Sequence, residues 1–113
     1  LEIARTGMNT EVAGRFGHDA LTLITQSDTA SGYMSEAAPI TVLLTADKST
    51  RRILGAQIVG GMQSGKRIDT VAAALWGEMT VDDLAEMDLA YAPPFATVWE
   101  AVQLAARRVS ERM

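Results

Sequence analysis

The run Gly60-Gly61-Met62-Gln63-Ser64-Gly65-Lys66 has the spacing with which a P-loop cradles nucleotide phosphates, and it falls where a strand pattern gives way to a helical one. Such a loop needs Ser or Thr after its lysine, because that hydroxyl holds the magnesium ion. Here the position is Arg67, which only donates hydrogen bonds and repels a metal. The acidic metal ligand should end a buried parallel strand, whereas the nearest candidate, Asp47, lies in turn-like sequence. The run therefore reads first as a glycine bend before a basic helix start. A free-standing nucleotide- or small-ligand-binding domain using the Gly60–Lys66 bend stands as the alternative.

Other chemistry is thinner. The chain has no cysteine, which excludes a disulfide framework, a thiolate metal site and thiol redox chemistry within it. A zinc site takes three or four ligands, usually with several His or Cys, and His18 is the single histidine. A turn or strand-edge position suits His18 better than a metal-ligand role or hydrolysis with a serine. Asp82, Asp83, Glu86 and Asp88 read as the solvated face of a short helix rather than as paired catalytic carboxylates. With ten Lys and Arg against fourteen Asp and Glu, the net charge of −4 argues against a nucleic-acid partner. No cofactor-binding or metal-binding residue is expected in this chain.

These residues must be placed by local elements. Leu1 to Thr6 suits a short strand before Gly7, and Asn9 suits the N-cap of a brief helix reaching Phe16, with Gly17 as its stop. Asp19 to Gln26 alternates, with Leu21, Leu23 and Thr25 facing one way and Thr22 and Ile24 the other. Ser27 to Pro39 has the composition of a loop or a loosely paired edge. Ile40–Ala46 and Arg52–Val59 read as strands joined by Asp47-Lys48-Ser49-Thr50, so short a turn that the pair must be an antiparallel hairpin.

Beyond Gly60 the period lengthens. Ile68, Val71, Ala72, Leu75 and Trp76 form one apolar helical face, ended by Gly77. Thr80 with Asp83 is a capping box opening a helix to Met87. Ala92-Pro93-Pro94 interrupts regular structure, Thr97 with Glu100 suggests a second capping box, and Val98, Val102, Ala105 and Val109 stripe the last helix. Strands first and helices after give an α+β domain: a small antiparallel sheet with helices packed on one side. No linker or repeat divides it, so residues 1–113 are expected to be one domain. Six Met and two Trp are more adaptable apolar surface than so small a sheet can cover, which points to a partner chain.

No run of about 18 apolar residues offers a membrane span, and Leu1 to Gly7 lacks a secretory n-region and apolar run. A cytoplasmic location without membrane contact is the expectation. The chain opens on Leu1 rather than Met, which suggests a mature product or an excised piece.

Four strings stand in one order: Arg52-Ile53-Leu54-Gly55-Ala56-Gln57-Ile58-Val59-Gly60, Lys66-Arg67-Ile68-Asp69, Met79-Thr80-Val81-Asp82-Asp83-Leu84, and Asp88-Leu89-Ala90-Tyr91-Ala92-Pro93-Pro94-Phe95. Together they resemble the C-terminal dimerisation domain of the pyridine nucleotide-disulfide oxidoreductases, from about Gly7 to Trp99. The branch they resemble holds coenzyme A-disulfide reductase, NADH oxidase and NADH peroxidase.

The resemblance implies a homodimerisation module of an FAD-dependent NAD(P)H oxidoreductase acting on a disulfide, a peroxide or oxygen. FAD, NAD(P)H and the redox-active cysteine would sit in preceding domains of the parent chain, and this fragment alone would not be catalytic. The resemblance further implies that the domain completes the partner subunit's active site. The glutathione reductase branch places a His-Pro pair there; this chain has Ala92-Pro93. In the resembled branch tyrosine hydroxyls reach across, and Tyr91 matches that motif. Tyr33 matches the first tyrosine of a Gly-Tyr-Tyr-Pro-Gly-Ala pattern whose second tyrosine is Met34 here and whose proline is Ser35. Trp99-Glu100-Ala101 stands where Trp-Asp-Pro is usual. Tyr91 and Tyr33 are thus the candidate catalytic residues, acting in trans in the full-length dimer.

Overall fold

A computed structural model describes residues 1–28, 37–87, 89 and 100–113. Its centre is the expected hairpin, β3 (Pro39–Asp47) and β4 (Ile53–Gly60), paired antiparallel from Ile40 opposite Gly60 to Ala46 opposite Ile53. Alternation along β3 places Ile40, Val42, Leu44 and Ala46 on one face, each essentially inaccessible to solvent. β1 (Glu2–Gly7) joins the free side of β4 and β2 (Ala20–Asp28) the free side of β3, giving the all-antiparallel order β1-β4-β3-β2. Tyr33 and Tyr91 lie outside the described residues.

The hairpin turn is held by its own polar atoms. Asp47 accepts the Ser49 amide at 2.7 Å, and its backbone carbonyl accepts the Arg51 amide at 2.7 Å. Arg51 is left-handed, with φ 65°, a conformation that disfavours a side chain. At Gly55 a Cβ would stand 2.3 Å from the Met8 carbonyl oxygen, so only glycine lets the chain leaving β1 cross β4 this closely.

Three helices cover the apolar face: α2 (Ser64–Trp76), α3 (Val81–Glu86) and α4 (Ala101–Arg112). Val71 and Ala74, Val81 and Leu84, and Val102, Ala105, Ala106 and Val109 close over Val42, Leu44, Ala56 and Ile58. Full burial of each valine, leucine or isoleucine among them contributes roughly 1.5–3 kcal/mol. The short α1 (Thr10–Arg15), capped by Asn9 through the Val12 amide, lies against the opposite face, where Thr10, Thr22 and Thr45 link their hydroxyls. Among the described residues no helix is long and apolar enough to cross a membrane.

Two expectations are corrected and one open reading is narrowed. Of the loop and the loosely paired edge left open for Ser27 to Pro39, the described ends take the edge, because Ser27 pairs with Ile40 and Asp28 with Pro39. Trp76, placed by periodicity on the apolar face of α2, is 89% exposed; the face turned inward is centred on Val71 and Ala74. Glu100 is the N-cap of α4, its carboxylate accepting the Val102 amide at 2.6 Å, instead of the third residue of a helix capped by Thr97, which lies outside the described residues.

Candidate functional site

The glycine bend does hold an anion at the start of α2, and the anion is a side chain of this chain. Glu2 accepts the Gly65 amide at 2.8 Å and the Gln63 amide at 3.2 Å. Unpaired amides and the helix dipole favour negative charge there. The register pairs Glu2 with Gly60, which delivers its carboxylate to the bend. A phosphate would have to displace it. The bend therefore does not fit the pyrophosphate of a nucleotide or dinucleotide cofactor, and no chemical step through a cofactor is assigned to this chain.

Arg67, the residue that spoils the P-loop pattern, has a structural task. Its Nε donates to Glu100 Oε1 at 2.5 Å, tying the first turn of α2 to the start of α4. Both side chains are nearly buried, at 9% and 12% exposure. Lys66 instead points outward and pairs with Asp69 at 3.0 Å.

His18 occupies the turn before β2. Its Nδ1 lies 2.9 Å from Asp47 Oδ2, joining the α1–β2 turn to the central hairpin. Hydrogen bonds from His18 and from the Ser49 amide hold the Asp47 carboxyl below its ordinary range, against the opposing effect of burial. A recess of about 230 Å³ beside this pair is bordered by Arg52 and Glu78, themselves paired at 2.9 Å. No serine hydroxyl hydrogen-bonds to His18 among the described residues, and no described cluster of three His, Asp or Glu could hold a metal.

The acidic set is not simply a solvated face. Asp82 accepts Arg51 Nε at 2.7 Å and Nη2 at 2.9 Å, and the Ser110 hydroxyl at 2.6 Å. These donors hold its carboxyl far below the ordinary range. Asp83 completes the capping box with Thr80, and Asp88 lies outside the described residues.

The segments carrying Tyr33 and Tyr91 have well-placed flanks. Asp28 and Pro39 bracket the first at the end of the sheet where Ile40 meets Gly60 and Pro39 accepts the Gly61 amide. The second is bracketed by Met87 and Glu100. Glu100 is tied through Arg67 to the first turn of α2, which follows that same bend. Gln103 of α4 donates to the carbonyls of Leu84, at 3.4 Å, and Met87, fixing the end of α3 beside α4. The fold thus brings the bases of both segments to the end of the domain where α2 and α4 begin.

Residues 1–102 match the family described as pyridine nucleotide-disulphide oxidoreductase, dimerisation domain. The chain belongs to this family. It is 37% identical over 107 residues to an NAD(P)H sulfur oxidoreductase (CoA-dependent) of Pyrococcus furiosus, covering 95% of this chain and 24% of that protein. A coenzyme A disulfide reductase of Staphylococcus epidermidis is 28% identical over 102 residues, 90% of this chain and 23% of the relative. The solved structure of an NAD-dependent persulfide reductase from A. fulgidus superposes with a TM-score of 0.91 at 34% identity, over 97% of this chain and 20% of that one. The dimerisation domain thus spans about a quarter of the length of the curated relatives it matches.

Signals for the tyrosine segments were present in the sequence as motif words, and so was the acidic start of α4. Nothing in it announced Glu2 as the occupant of the bend, because that contact depends on the pairing of β1 with the distant β4.

Proposed function

We propose that residues 1–113 form the single homodimerisation domain of an FAD-dependent NAD(P)H oxidoreductase and are not catalytic alone. The observation that carries this reading is the match of residues 1–102 to a dimerisation domain in a chain that contains no cysteine. The parent enzyme acts on a sulfur–sulfur bond, of the disulfide or persulfide class named in the coenzyme A disulfide reductase and the persulfide reductase that the chain resembles. FAD and NAD(P)H, held by other domains of the parent chain, supply the electron pair. The parent is cytoplasmic and binds neither nucleic acid nor membrane.

Tyr91 and Tyr33 act in trans, their hydroxyls reaching the partner subunit's active site. A phenol titrating near pH 10 stays protonated at neutral pH, so it donates a hydrogen bond to the thiolate released when the sulfur–sulfur bond breaks. The common placement of the bases of both segments supports their acting at one site. Sedimentation of the chain across a concentration series tests the module itself. A mass of twice the monomer is expected, and a strict monomer at high concentration would count against it.

A further inference from the structure

Helices α2, α3 and α4 cover one face of the sheet, and only the short α1 lies on the other. Gly7, left-handed at φ 68°, turns the chain off the end of β1. The Thr10 and Thr22 hydroxyls then pin α1 over the start of β2. Beside α1 this leaves an open recess of about 290 Å³ on the sheet, near the lower end of the roughly 300–1,000 Å³ of small-molecule sites. Arg5, Gln57 and Leu43 are successive cross-strand partners on β1, β4 and β3, so their side chains share this face and line the recess. Among the described residues neither the Arg5 guanidinium nor the Gln57 amide has a partner. Thr45 stands two residues along β3 from Leu43, and its hydroxyl continues to Thr22 at 2.7 Å and on to Thr10.

We infer that this recess binds a small organic monocarboxylate that also bears a hydroxyl group. Unpaired donors stand at one end, hydroxyls at the other, and the half-buried Leu43 forms an apolar floor between them. The planar fork of Arg5 takes a carboxylate bidentately, and the Gln57 amide adds a donor beside it. Leu43 carries the carbon body of the ligand. The threonine hydroxyls, which both donate and accept, take its hydroxyl. At the glycine bend the donors already hold Glu2; here no acidic side chain among the described residues holds them.

Size and charge narrow the ligand. From Gln57 to Thr45 is one strand spacing and two residue rises, roughly 8 Å along the diagonal, which one ring or a short chain spans between a carboxylate and a hydroxyl. Glu11 lines the same recess, and although Arg15 binds its carboxylate at 2.6 Å, the negative charge stays on the rim. A phosphate carrying two charges meets that repulsion, whereas a single carboxylate places its one charge at Arg5. The inference is independent of the homodimer reading, and its test leaves that reading untouched.

Heteronuclear NMR of the chain, titrated with para-hydroxybenzoate, reads the site directly. Saturable shifts are expected at the amides of Leu43, Thr45 and Gln57, with a Kd of about 1 mM or below. Arg5→Gln should weaken binding about tenfold or more, as loss of a charge-assisted hydrogen bond does. Arg5 is exposed and has no partner among the described residues, so an unchanged circular dichroism spectrum is expected with that loss. Lys48→Gln removes the same charge from the hairpin turn and should leave binding as it is. para-Hydroxybenzamide, which lacks the charge, and benzoate, which lacks the hydroxyl, should each bind more weakly than the probe. No saturable shift, or equal binding by Arg5→Gln, would overturn the site. Inorganic phosphate binding as tightly as the probe would overturn its assignment to a monocarboxylate.

Discussion

Arg67 and Glu100 form an ion pair at 2.5 Å between the first turn of α2 and the N-cap of α4, with about a tenth of each side chain exposed. The same carboxylate caps α4 by accepting the Val102 amide. Removing it takes away the helix cap together with the acceptor of the Nε bond of a nearly buried guanidinium. Glu100→Ala should therefore cost about 3–5 kcal/mol, the range for breaking a buried pair from one side. Urea denaturation reads this directly. A loss below about 1 kcal/mol would mean that solvent replaces the carboxylate and that the contact between α2 and α4 stands on packing alone.

Asp82 makes acid stability depend on one triad. Arg51 and Ser110 bind its ionised form, so its carboxyl titrates lower in the folded than in the unfolded chain. Because the folded value is the depressed one, the stabilisation is complete above the ordinary carboxylate value of about 3.9 and is lost as pH falls from there toward the folded value. Asp47 shifts the same way and adds to the acid sensitivity. Asp82→Asn is expected to lower the denaturation midpoint at pH 7 and to narrow its gap to wild type at pH 3. Parallel curves for the two proteins across that range would show that the triad does not titrate with folding.

The elements could be read from the sequence because their signals are local. Asn9, the capping box of Thr80 with Asp83, and the alternation from Ile40 to Ala46 each report on a few neighbouring residues, and each was found in place. Contacts between distant elements were not legible. Arg51 reaches Ser110 across 59 positions and Glu2 reaches Gly65 across 63, and no periodicity encodes either meeting. Trp76 shows the complementary failure. Its helical phase falls at the margin of the apolar stripe, where tertiary packing rather than period decides which way the ring faces. The two tyrosines are candidates through motif words alone, since phenols in loop-like sequence carry no pattern of their own, and both lie outside the described residues.

Glu2 should matter more than an exposed strand end normally would. By accepting the amides of Gln63 and Gly65, it stands in for the side-chain cap that α2 lacks at Gln63. Glu2→Ala is expected to cost about 1 kcal/mol, as loss of an N-cap acceptor does, while Glu2→Gln should retain most of it. Titration calorimetry of the wild-type chain with magnesium–ATP should show no saturable binding, because the same amides are occupied. Saturable binding lost in Lys66→Ala would reinstate the bend as a nucleotide site.

The proposed role of Tyr91 has consequences only in the full-length enzyme. Replacing its hydroxyl by hydrogen keeps the ring and its packing but removes one donor to a developing thiolate. Hydrogen bonds to charged groups contribute about 1.5–3 kcal/mol, so Tyr91→Phe should slow reduction of the sulfur–sulfur bond roughly ten- to hundredfold. Flavin reduction by NAD(P)H, which precedes that step, should keep its rate; stopped-flow absorbance separates the two. Because the hydroxyl is proposed to act across the dimer, a hybrid tests it further. One subunit carries Tyr91→Phe and the other lacks its redox cysteine. The surviving cysteine, on the Tyr91→Phe subunit, is then served by the intact tyrosine of the other, so that site should run at the wild-type rate per site. A hybrid as slow as the Tyr91→Phe homodimer would place the hydroxyl in its own subunit's site. Unchanged turnover of that homodimer on disulfide, persulfide, peroxide and oxygen alike would remove Tyr91 from the chemistry.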